Sequence, residues 1–372
     1  MKRIEYADIA KALAIFTVVL GHVNLATTPG REWLYVDVCY AFHMPLFFLV
    51  SGYFFDVDSI DGVRALFRRF LRNLLAPSLV FLSIAAANSA AWGELVAADH
   101  AVNVDRLKSF LRGQPYLLGS LWFVVCVVWS QLVVWLVSRI PNPIRQMRRL
   151  PVAGADWISA RWPQVRDGVL VVLMFALAHV LSKEFSDFSQ DVPLKLLSVP
   201  MCVVFVGWGV LLRPWLQKLA EMRLGAMVSL VASAVLLAVV TASAQFGHRT
   251  TNLCNVTYST TIMFILGSSA GICSSLALAK ALDRGVTATV MAYVGRNSMV
   301  FFLMEAVVLM NCSKVANLLG LDVKCMLFNS QEATIGQRIG MTVIGLLVAA
   351  ALPPLINPVL RLVKSPFSRK AS

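Results

Sequence analysis

Residues 9–27 read IAKALAIFTVVLGHVNLAT, a run of 19 residues that is apolar apart from Lys11, His22 and a few small polar side chains. A helix of about 20 such residues spans the hydrocarbon core of a bilayer. Ionisable groups at that depth are costly, so a run carrying both a Lys and a His reads as a membrane helix built around a site. Lys11 and His22 are eleven positions apart. At about 100° per residue that is three turns plus roughly 20°, so both project from one helix face. The rise between them is roughly 16 Å, which places them at two ends of one elongated ligand rather than in contact. Asp8 stands three residues before Lys11, on the same face, and can pair with it.

Nine further runs follow, at about 38–56, 74–92, 116–138, 168–182, 194–212, 225–245, 257–279, 288–312 and 336–360, the fifth being the shortest of the set. A backbone crossing lipid must satisfy its own hydrogen bonds, so these spans are helices. The expected fold is all-α: a polytopic membrane bundle of about ten transmembrane helices. The composition agrees, with 58% hydrophobic and 14% charged residues in 372, against about 25% charged in soluble domains. A soluble enzyme and a disordered chain are both excluded. The longest polar stretches, 93–115 and 139–167, are too short for a core of their own. One membrane domain over 1–372 is therefore expected, with no fused extracytoplasmic domain, no internal repeat and no cleavable signal peptide.

The net charge is +13. The Lys and Arg residues fall in short loops between the apolar runs, as membrane orientation requires. Segments on the N-terminal side of the bilayer carry 21 of the 33, and the opposite segments 10. Both termini are expected to be cytoplasmic. The basic balance is thus accounted for by the lipid bilayer, and nucleic acid is not an expected partner. Seven Cys are scattered without a CxxC pair, so no metal site is expected. Cys312 and Cys325 flank one outer loop, and a disulfide between them is left open.

Other polar groups recur inside or beside the spans. Residues 42–53, FHMPLFFLVSGY, place His43 two before Pro45, and Ser51 and Gly52 where a neighbouring helix can pack closely. His43 reads as structural. The loop after this span, RALFRRFLRNLLAP (64–77), sets Arg64, Arg68 and Arg72 on one face, with Arg69 three before Arg72. Arginine forks suit phosphate bidentately, and such a cluster also anchors lipid headgroups. Trp122 and Phe123 lie at an outer helix end. In VGRNSMVFFLME (294–305), Arg296, Asn297 and Ser298 precede Glu305, a carboxylate in an otherwise apolar segment that needs a partner.

Taken in order, Lys11 and His22 with ten residues between them, FHMPLFFLVSGY, Arg69-x-x-Arg72, LWF (121–123) and VGRNS (294–298) resemble acyltransferase family 3 over essentially the whole chain. That family includes bacterial O-acetyltransferases of surface polysaccharides, lipopolysaccharide and peptidoglycan. The resemblance departs at Glu305, where many relatives carry a His. It implies an integral membrane O-acyltransferase of the inner or plasma membrane. Its donor substrate would be an acyl-coenzyme A, commonly acetyl-coenzyme A, arriving from the cytoplasm. Its acceptor would be a hydroxyl of a sugar or cell-envelope glycan. No permanently bound cofactor is implied. His22 would be the general base and Glu305 a second catalytic or orienting group. Lys11, Arg69 and Arg72 would hold donor phosphates, and Ser51, Trp122 and Asn297 would line the substrate path. The residues alone also admit a secondary transporter with an intramembrane Lys/His/Glu site.

Overall fold

In a computed structural model, residues 5–23, 34–92, 119–143, 155–185, 192–222, 225–247, 252–258, 260–320 and 335–367 are described. Thirteen main helices run through them: α1 (Glu5–His22), α2 (Leu34–Tyr53), α3 (Gly62–Ala91), α4 (Leu121–Ser138), α5 (Trp162–Glu184), α6 (Val199–Leu211), α7 (Arg213–Glu221), α8 (Ala226–Gly247), α9 (Thr261–Ala281), α10 (Gly285–Arg296), α11 (Ser298–Leu318), α12 (Ile335–Ala350) and α13 (Leu352–Lys364). Among the described residues the one β-type pairing is an isolated bridge between Asn252 and Thr257. Eight helices are long and apolar enough to cross a membrane, or nine if the bent pair α12–α13 is one span. The all-α polytopic bundle is thus what the chain forms.

The tenth expected span is α1. It has the length, but it carries Glu5, Asp8 and Lys11 and falls outside the purely apolar set. Its position explains how lipid tolerates that. α1 packs against α2, α9, α10, α11 and α12, and Ile9, Ala10, Ala14, Ile15 and Val18 are fully buried. Outer helices show the opposite pattern. Val169, Val172, Leu173 and Val180 of α5, and Met227, Val228, Val231 and Val235 of α8, are exposed apolar side chains suited to lipid.

Several boundaries differ from the expected ones, each for a local reason. The arginine-rich stretch expected as a loop is helical and continuous with the third span, through a π-helical turn at Leu71–Leu75. The fifth span, expected to be short, runs 23 residues. The sixth runs Pro193–Leu211, close to the expected bounds, but its first turn is a 3-10 segment in which Leu194 and Lys195 take left-handed φ of 54°, so the regular α-helix starts only at Val199. The ninth breaks at Asn297 into α10 and α11. The last bends by 45° after Ala350. Pro353 and Pro354 supply the reason for that bend, since proline removes a backbone donor and crowds the preceding turn. The possible partner of Cys312, Cys325, lies outside the described residues, and Cys312 is a free thiol.

Pro45, by contrast, is carried inside α2 without a break. A proline there leaves the carbonyl four residues earlier without its helical donor. That carbonyl belongs to Ala41, and the buried Ser268 hydroxyl of α9 donates to it at 2.6 Å. The helix stays whole because its neighbour supplies the missing bond.

Two glycine contacts fix how closely the central helices approach. A Cβ on Gly52 of α2 would stand 2.0 Å from the Val206 carbonyl oxygen of α6, and one on Gly209 of α6 would stand 2.0 Å from that of Leu49. A Cβ on Gly295 of α10 would stand 1.7 Å from the Asp8 carbonyl oxygen of α1. Gly295→Ala is expected to force α1 and α10 apart, destabilising the fold by about 1–3 kcal/mol, the usual cost of overpacking. Gly340→Ala, with nothing within 4 Å, is the control. Thermal melts of the two proteins in detergent check this, and equal stability would contradict the close approach.

Candidate active site

The functional side chains collect at the two ends of the α1–α2 pair. These helices run antiparallel: His22 of α1 meets Tyr40 of α2 ring to ring at 6.1 Å, while Lys11 lies over the Phe54 ring just past the end of α2 at 5.8 Å. The face shared by Lys11 and His22 therefore faces α2 over its length.

At the His22 end, α11 brings in Glu305, 283 residues away in sequence, and its Oε1 lies against His22 Nδ1 within hydrogen-bonding distance. The carboxylate is 3% exposed, whereas the His22 side chain keeps 29% exposure. Nδ1–H donates to the carboxylate and Nε2 is left as the free acceptor, the tautomer a general base needs. Glu305 Oε2 is buried and has no hydrogen-bond partner, so the dyad holds a spare acceptor. Tyr40 lies within the electrostatic reach of Glu305. Beyond Tyr40 comes His43, edge-on to it at 5.1 Å. His43 is buried, with Nδ1 engaged by the Cys39 carbonyl one turn back, which fits its structural reading.

At the other end, Lys11 pairs with Asp8 at 2.6 Å. Arg69 Nη2 donates to the Phe54 carbonyl at 3.2 Å, and its guanidinium sits over the Phe55 ring at 5.2 Å. Arg213, at the start of α7, donates through Nη2 to the Gly52 and Phe55 carbonyls at 3.3 and 2.6 Å, and Nη1 stands 4.0 Å from Asp56. The two arginines thus satisfy the last carbonyls of α2 and its extension, which a helix end cannot satisfy by itself. Arg72 lies in the π-helical turn with Nε on the Asn73 side chain at 3.2 Å. Its charge acts on both Arg69 and Lys364 of α13. Lys11, Arg69, Arg72, Arg213 and Lys364 form a cationic end, with Asp8 and Asp56 as the carboxylates among them. A π-helical turn commonly marks a functional position.

Between the ends lies an aromatic layer. Phe47 and Phe48 of α2, Trp122 and Phe123 of α4, and Phe302 of α11 meet with ring centroids between 4.9 and 6.5 Å. Trp122 is a member of this layer. Ser51 accepts a hydrogen bond from Gln131 of α4 at 2.9 Å, three residues from Phe54. Asn297 caps α10 where α11 begins. Its Nδ2 donates to the Tyr293 carbonyl at 2.8 Å, and its Oδ1 accepts from Asn357 of α13 at 3.0 Å. Ser51 and Asn297 therefore sit toward the cationic end and hold helices together there, rather than meeting His22.

Sequence reasoning singled out eight of these groups as site residues but passed over Tyr40, Phe54, Asp56, Arg213 and Lys364. Tyr40 shares the i, i+3 face of His43, a spacing that could have drawn attention to it. Arg213 and Lys364 entered only as orienting cations. Among the described residues no group of three or more His, Cys, Asp and Glu is placed to hold a metal ion.

A family model described as an acyltransferase domain, that of acyltransferase family 3, matches residues 4–353. No curated protein matches the chain.

Proposed function

The chain belongs to acyltransferase family 3, and from that premise we propose that it moves an acyl group, acetyl in the first instance, from an acyl-coenzyme A to a hydroxyl of a sugar or cell-envelope glycan. It is a multi-pass membrane protein, and its proposed place is the inner or plasma membrane with both termini cytoplasmic. The observation that carries the reading is the His22–Glu305 pair, assembled from opposite ends of the sequence at the far end of α1 from a cluster of cations. Spent binding groups at one end and a base at the other suit a donor with phosphates on a long arm and a thioester at its tip.

In the proposed reaction His22 Nε2 accepts the proton of the acceptor hydroxyl as its oxygen attacks the thioester carbonyl. The tetrahedral intermediate collapses with cleavage of the C–S bond. The imidazolium returns the proton to the departing thiolate, giving the free thiol and the acyl ester. Glu305 holds the imidazole in one tautomer and stabilises its charged form, as the third member of a nucleophile–base–orienter set does. Lys11, Arg69 and Arg72 bind donor phosphates. Ser51, Trp122 and Asn297 belong to the path between the ends. The reaction as written uses no metal and no permanently bound cofactor.

Loss of the gene tests the acceptor side: a surface glycan lighter by one acyl unit supports the reading, and an unchanged glycan contradicts it. The donor side is best probed at Arg72, because Arg69 also holds the α2 terminus. Removing a charge-assisted contact costs about 1.5–3 kcal/mol. Arg72→Ala is therefore expected to weaken coenzyme A binding by roughly 10- to 150-fold, with Arg72→Lys restoring only part. If the arginine merely anchors lipid headgroups, the Ala variant inserts poorly, Lys rescues fully, and the surviving protein binds coenzyme A normally.

A further inference from the structure

Phe54 is 40% exposed although its neighbour Phe55 is fully buried. An exposed apolar ring on a membrane protein ordinarily faces lipid, but this one stands among charges. Lys11 Nζ is 5.8 Å from its centroid, near the ~6 Å limit of a cation–π contact and so loosely held. Arg69 fixes its backbone by the hydrogen bond to its carbonyl, and Tyr53 meets the ring edge-on at 4.9 Å. Arg72, Asp56 and Arg213 lie within electrostatic reach of Arg69. The ring is thus held in place, open, and at the edge of the cationic end, with Lys11 over it and Arg69 on its carbonyl, which is a poor lipid contact and a good site for a flat group bearing phosphates.

We propose that Phe54 is the stacking platform for the nucleobase of the acyl donor. The assignment rests on the acyl-coenzyme A reading above and narrows it. The donor would be a thioester carrying a purine nucleotide, rather than one carried on the phosphopantetheine arm of a protein. In such a pose the base lies on Phe54, the phosphates meet Lys11, Arg69 and Arg72, and the arm runs along α1 toward His22, a rise of roughly 16 Å. Any base offers a π-face to such a ring, so stacking strengthens binding of the nucleotide portion without touching the arm.

The test compares two ligands on the full-length protein in lipid nanodiscs: coenzyme A, and 4′-phosphopantetheine, which has the arm and lacks the nucleotide. Phe54→Leu is expected to weaken coenzyme A binding by about 5- to 150-fold, the range of one base–aromatic stack, and to leave phosphopantetheine binding as in the wild type. Phe54→Trp, which keeps an aromatic face, is expected to retain coenzyme A affinity. Wild-type coenzyme A affinity in Phe54→Leu overturns the platform, and so does an equal loss for both ligands, which would mean that the cations had merely shifted. A wild-type protein that binds no coenzyme A fails at the donor reading itself, and the platform falls with it.

Discussion

Replacing His22 by alanine is expected to lower acyl transfer by about 10²–10⁴-fold, the range associated with losing a general base. The side chain contributes little to the core, since it keeps 29% exposure at the end of α1. Insertion and yield should therefore be close to wild type. Coenzyme A affinity should also be retained, because the cationic end lies a helix length away. Rate, binding and yield thus separate in this one variant. Measuring released thiol and bound coenzyme A on equal amounts of purified protein checks it. Activity within a few-fold of wild type would remove His22 from the mechanism.

The second large effect belongs to Glu305. Glutamine can still accept the bond from His22 Nδ1 through its carbonyl oxygen, so the pair keeps its geometry and loses only its charge. A charge-assisted hydrogen bond contributes about 1.5–3 kcal/mol and a neutral one about 0.5–1.5 kcal/mol, a difference of about 1–1.5 kcal/mol. If that difference acts on the imidazolium formed in the transition state, Glu305→Gln lowers turnover by roughly 5- to 13-fold. The pH dependence of turnover should change with it, while donor affinity stays the same. Should Glu305 only join α11 to α1, glutamine would serve as well, and both turnover and its pH profile would match wild type. A full pH–rate profile of the purified variant distinguishes the two.

Much of the architecture was legible in the sequence because lipid imposes strict terms. Each crossing needs a long apolar run, and each charge inside one stands out. The same rule made Lys11, His22 and Glu305 visible one by one. Their partnership was not visible, because helical periodicity says which residues share a face of one helix and nothing about which helix that face meets. His22 and Glu305 lie 283 residues apart, and only the packing of α1 against α11 joins them. Likewise, the arginine stretch reads as a loop by charge, yet it is a helix whose π-turn carries Arg72. Arg213 escaped notice because its role depends on where the carbonyls of Gly52 and Phe55 end up. The break at Asn297 was hidden for a related reason. The residues on either side of VGRNS are apolar enough to read as one span, and the close approach of Gly295 to Asp8 is a tertiary contact.

The central claim is that this membrane protein carries an acyl group from coenzyme A to a glycan hydroxyl through His22. It is tested most directly by following the acyl label itself. Purified wild-type protein in nanodiscs would be incubated with acetyl-labelled coenzyme A and cell-envelope glycan from a strain lacking the gene. The account predicts one label appearing as an ester on the glycan for each thiol released, with both signals lost together in His22→Ala. Thiol release and glycan labelling that persist in His22→Ala, or a wild-type protein that moves glycan across vesicle membranes without consuming the donor, would contradict it.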